Sequence, residues 1–76
     1  MADETLVTEG NVKIGLRVVR GRDWSWGNQD GNPPGKGTII NEYRTPKYWN
    51  VKWDHDGSSS AVYRVGYGEK YDLQIA

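Results

Sequence analysis

The sequence predicts an all-β fold, a small SH3-like barrel of about five short strands with a long first loop. Three observations predict it. Short segments of alternating or β-branched character recur along the chain, glycine- and proline-rich turn signals separate them, and no stretch places apolar residues at i, i+3, i+4 and i+7 over a useful length.

Taken in order, residues 1–12 (MADETLVTEGNV) are acidic and polar apart from Leu6 and Val7, and read as a flexible leader, with the folded domain expected over 13–76. Leu16 to Arg20 is rich in β-branched residues and reads as a first strand. The stretch from Gly21 to Gly37 contains Asn32-Pro33-Pro34-Gly35, a composition that favours irregular backbone over helix. Thr38 to Tyr43 is a second strand, followed by a turn at Arg44-Thr45-Pro46-Lys47. Tyr48 to Trp53 alternates, with Trp49, Val51 and Trp53 on one face and Asn50 and Lys52 on the other, as a half-buried strand requires. A hairpin turn over 54–58 carries the Asp56-Gly57 signal, Ser60 to Arg64 forms a fourth strand, and Val65 to Gly68 can only be a bend or a single helical turn. Tyr71 to Ile75 alternates again and closes the set. The expected structural residues are Trp24, Val51, Trp53, Tyr63 and Tyr71, with Trp49 beside them.

Seventy-six residues suffice for one domain and not for two. A chain this short buries only about 60% of its unfolded surface, and small folds often need staples. With no cysteine and one histidine, neither disulfides nor a structural zinc site is available, so packing must suffice. The packing material is four Trp and five Tyr, with no Phe. These rings bury about 150–250 Å² each while keeping a polar tip. Ten basic residues balance ten acidic ones without a basic stripe, which argues against nucleic acid. No apolar run is long enough to span a membrane and no signal-peptide pattern is present. The absence of cysteine suits a cytoplasmic or nuclear setting.

The densest segment is Arg20-Gly21-Arg22-Asp23-Trp24-Ser25-Trp26-Gly27-Asn28-Gln29-Asp30-Gly31. A loop holding two tryptophans must fold back over the barrel. One of Trp24 and Trp26 then plugs its end while the other stays partly exposed, with Asp23, Gln29 and Asp30 bonding backbone N–H groups to hold the shape. The alternative reading is that both rings are ordinary core in a domain short of aliphatics.

This run, with Pro34-Gly35-x-Gly37, Val51-Lys52-Trp53-Asp54, Tyr63-Arg64-Val65-Gly66 and Tyr71-Asp72-Leu73, resembles the MIB domain of the Mind bomb and giant HECT-class ubiquitin ligases, over roughly Lys13 to Ala76. Within that family it looks most like the copy in a HECT-class ligase that also carries ankyrin repeats. The resemblance implies an SH3-like barrel that serves as a protein-interaction module, with ubiquitin transfer performed elsewhere in the parent by a cysteine this chain does not have. The Mind bomb pairing with a ZZ zinc finger does not carry over, because the necessary cysteines are absent.

The candidate partner-binding residues are Trp26, Tyr43, Tyr48 and Tyr67 as exposed aromatic anchors, with Asp30 and Asp54 supplying negative charge. Asp30 before Gly31 and Asp56 before Gly57 also read as plain turn formers. His55 reads as a solvated turn residue, and the 58–60 serines as turn and strand start. The expected partners are protein or peptide segments, ubiquitination substrates or adaptors, bound by a monomeric domain without cofactor or metal. A methyl-lysine reader built from clustered rings and an architectural domain packed within its parent are the alternatives. No Ser/His/Asp or Cys/His set, phosphate loop or paired carboxylates mark an enzyme.

Overall fold

A computed structural model describes residues 6–55 and 60–76. It comprises β1 (Arg17–Arg20), β2 (Gly37–Tyr43), β3 (Thr45–Trp53), β4 (Ser60–Arg64), a 3₁₀ turn (Tyr67–Glu69) and β5 (Leu73–Ile75). All pairings are antiparallel in one five-stranded sheet of order β4-β3-β2-β1-β5. The sheet bends until its two outer strands approach. Val65 bridges Tyr71, and the Asp72 amide donates to the Arg64 carbonyl at 3.1 Å.

The alternation expected of β3 is present: Trp49, Val51 and Trp53 are buried on the inner face and Lys52 is exposed. They join Val7, Val18, Ile39, Tyr63, Val65 and Leu73 in one core. Close approach is paid for in side-chain volume at two glycines. A Cβ on Gly37 would stand 2.6 Å from the Trp53 ring, and one on Gly21 would stand 2.7 Å from the Leu73 backbone nitrogen. Those positions let β2 pass under an indole and let the start of the long loop lie against β5.

Three expectations are corrected. Ordered packing begins before Lys13: Leu6 and Val7 are buried, Leu6 bridges Gln74, and the Val7 amide donates to the Leu73 carbonyl at 3.0 Å. This apolar pair covers the outer edge of β5, so 6–12 is not a loose leader; residues 1–5 lie outside the described residues. The turn placed at 44–47 is shorter, because Arg44 alone takes a left-handed conformation (φ 68°) and β3 already starts at Thr45. Tyr71 is only partly buried, under the Arg22 guanidinium, because regular pairing in β5 starts two residues later and Asp72 turns inward beside Leu73. The expected Asp56-Gly57 hairpin signal lies outside the described residues.

Candidate functional site

The loop between β1 and β2 is strapped over one end of the sheet by side chains from several elements. The Arg20 guanidinium grips both carboxylate oxygens of Asp30 at 2.7 Å each, tying the end of β1 to the far side of the loop. Asp23 accepts from the Tyr71 amide at 2.7 Å, and this backbone bond, aided by Arg22, holds its carboxyl below the usual carboxylate range. Asp72, fully buried, accepts from the Arg64 amide and from Nε and Nη2 of its guanidinium, and Nη2 also donates to the Asp23 carbonyl at 3.4 Å. Buried carboxylates of this kind are tolerated because each oxygen has a charged or amide donor.

Trp24 fills the space beneath the loop. Its ring stacks on Tyr63 with centroids 5.2 Å apart, meets Trp53 edge-on at 5.7 Å, and its indole N–H donates to the Gly27 carbonyl at 2.9 Å. A polar relay runs behind it: Trp53 Nε1 donates to the Tyr63 hydroxyl at 2.9 Å, and that hydroxyl donates to Gln29 Oε1 at 2.6 Å. Burial is the main cause raising the Tyr63 pKa, with Asp30 and Asp72 adding to it. The expectation that Asp23, Gln29 and Asp30 all hold backbone amides thus resolves into three different jobs: among the described residues only Asp23 bonds an N–H of the main chain.

Trp26 lies on the outside. It is 37% exposed, meets the Tyr63 ring edge-on at 6.3 Å, and carries the Arg64 guanidinium over its face at 5.6 Å. Arg64 pairs across the sheet with Tyr48, whose ring lies 4.9 Å from Tyr67, itself 50% exposed. Trp26, Arg64, Tyr48 and Tyr67 therefore form a continuous aromatic and cationic strip. Beside it, a cleft of about 270 Å³ is lined by Asn28, Gln29, Trp53, Tyr63 and Ser60, with His55.

The six residues expected to bind a partner do not all converge. Trp26, Tyr48 and Tyr67 share the strip. Tyr43, though 42% exposed, sits at the β2–β3 turn under the Arg44 guanidinium. Asp54 is taken by Arg17 in a two-pronged exposed pair that holds its pKa down. Asp30 is 1% exposed and committed to Arg20, so it offers no surface charge; a paired internal carboxylate stands where a turn or contact residue was expected. Sequence reasoning missed Arg64 and Asp72. Their inward and outward roles depend on a fold-back between β4 and β5 that no local periodicity announces.

Fold and site together define a small all-β module whose indole-bearing loop is fixed onto the sheet and presents an aromatic strip. The Mib_herc2 family model matches residues 15–76, all five strands, and the chain belongs to that family. The human E3 ubiquitin-protein ligase HERC2 is 49% identical over 65 residues, 86% of this chain and 1% of that protein. Drosophila melanogaster E3 ubiquitin-protein ligase Ufd4 is 47% identical over 66 residues, 87% of this chain and 2% of that protein. Gallus gallus E3 ubiquitin-protein ligase MIB2 is 38% identical over 71 residues, 86% of this chain and 7% of that protein. The chain thus spans only a small fraction of the length of these ligases. Among the described residues no group of three or more His, Cys, Asp or Glu is placed to hold a metal, and no helix is long and apolar enough to cross a membrane.

Proposed function

We propose that this domain is a non-catalytic protein- or peptide-binding module of a ubiquitin-protein ligase, of the HECT class, contributing to recognition of substrates or adaptors in the cytoplasm or nucleus. The observation that carries the reading is Trp26: a large ring, 37% exposed, on a loop whose shape is fixed by ion pairs and by Trp24 beneath it. A rigid aromatic anchor beside Arg64, Tyr48 and Tyr67 has the composition of an interface centre, and its fixed loop lowers the ordering cost of binding. The ligases among its relatives supply the pathway.

The strip fits a methyl-lysine poorly. Arg64 already lies over the Trp26 face, and a second cation would meet its charge. The test is affinity capture with wild type and Trp26→Ala, followed by titration of segments of the captured protein while backbone amide shifts are recorded. Loss of capture with an unchanged fold supports the reading. Capture indifferent to Trp26→Ala, with no ligand perturbing residues 24–29, overturns it.

A further inference from the structure

The register of the sheet leaves one stretch of strand edge unguarded. Tyr48 pairs with Arg64, and the Val65 amide donates to the Lys47 carbonyl at 2.7 Å, so 47–65 is a hydrogen-bonded pair. Antiparallel pairs alternate, which makes 49–63 and 51–61 the other bonded pairs. The N–H and C=O groups of Ser60, Val62 and Arg64 therefore point away from β3. Those of Arg64 are taken, its amide by the Asp72 carboxylate at 2.9 Å and its carbonyl by the Asp72 amide. Among the described residues nothing meets those of Ser60 and Val62. The other outer edges are better covered: Leu6 and Val7 lie along β5, and the β2 overhang past Ile39 carries register shifts, with the Glu42 carbonyl occupied by Asn41.

The cleft adjoins this open stretch. Ser60, Ala61 and Tyr63 of β4 line it, and Asn28 and Gln29 of the loop face them. A residue of an added strand lying opposite Ala61 would project to the same face of the sheet as Ala61 and Tyr63, the face on which the cleft lies. The chemistry of the cleft is set by the relay. An indole nitrogen can only donate, so the Tyr63 hydroxyl accepts from Trp53 and must spend its own proton on Gln29 Oε1. Among the described residues both hydrogens of Gln29 Nε2 and the side-chain amide of Asn28 beside it have no partner. Such a lining matches a group that both accepts and donates and carries no charge.

We propose that β4 receives an extended peptide segment as an added strand on the Ser60 and Val62 rungs, with one neutral amide side chain, Asn or Gln, seated in the cleft against Gln29 and Asn28. This rests on the partner-binding reading and specifies how the partner's main chain is held.

The experiment is a titration of the 76-residue chain with the capped peptide Thr-Val-Gln-Val-Thr. Its comparators are the same peptide N-methylated at the three central residues and one with norleucine in place of Gln. The expected result is downfield movement of the Ser60 and Val62 amide protons, with their exchange slowed about tenfold or more near saturation. Each comparator should bind about tenfold more weakly, through lost main-chain bonds or through amides left unpaired in the cleft. Equal binding of the N-methylated peptide, or an absence of response at Ser60 and Val62 up to the solubility limit, overturns the added strand. Equal binding of the norleucine peptide overturns the amide assignment. Failure here together with Trp26-dependent capture removes the strand and leaves the aromatic site. Strand addition together with capture indifferent to Trp26→Ala does the reverse.

Discussion

Trp24 and Trp26 stand on the same loop with one residue between them, yet they belong to different parts of the molecule. Trp24 has its ring stacked on Tyr63, its edge against Trp53 and its N–H satisfied by a carbonyl. Trp26 has one aromatic neighbour, a guanidinium over its face, and no hydrogen-bond partner for its N–H among the described residues. The difference teaches that this loop is built in two layers, an inner ring that completes the core and an outer ring that the inner one holds in place.

The largest expected effect comes from removing the inner layer. Trp24→Ala should cost about 3–5 kcal/mol, out of the roughly 4–11 kcal/mol that a domain of this length commands. Thermal unfolding should show a transition lowered by about 12–40 °C, at about 4–8 °C per kcal/mol, whereas Trp26→Ala should leave the transition nearly unchanged; equal losses in both would merge the two layers into one. Next in size is Asp72→Ala, which deprives the Arg64 amide and guanidinium of their acceptor and should cost about 3 kcal/mol. Asp54→Ala, in an exposed pair, should hardly move the melting temperature. A comparable loss from Asp54→Ala would mean that burial is not what separates the two pairs.

A different kind of effect is expected in acid. Asp23 has a lowered pKa in the folded state, so its contribution is fully present above the ordinary carboxylate value of about 4. It is lost as pH falls through that value toward the folded one. Asp23→Asn should therefore lower stability at neutral pH and flatten the acid limb below about pH 4. An unchanged limb in a denaturant series would show that the Tyr71 amide bond does not fasten the loop.

The strands were legible because they are local. Trp49, Val51 and Trp53 announce their face by a period of two, and Ser60 to Arg64 is bounded by turn residues on both sides. Trp26 and Trp24 were legible as a divided pair, since a glycine-rich loop cannot bury two indoles without support. The ion pairs that fasten the loop were not. Arg20 and Asp30 are ten residues apart across irregular backbone, and Asp30-Gly31 has the look of an ordinary turn. Asp72 sits in an alternating segment whose parity would put it outside. It turns inward because the chain leaves the 3₁₀ turn and folds back onto Arg64 before β5 becomes regular. Leu6 and Val7 were obscured by their acidic surroundings, although an apolar pair there has an uncovered strand to meet.

Asp72 also sets a limit on what can grow from this sheet. By occupying the Arg64 rung it acts as a stopper at one end of β4, so that among the described residues two rungs, those of Ser60 and Val62, remain for a visiting chain. Two rungs are too short a template for copies of the domain to zip together sheet to sheet, the hazard that longer bare edges carry.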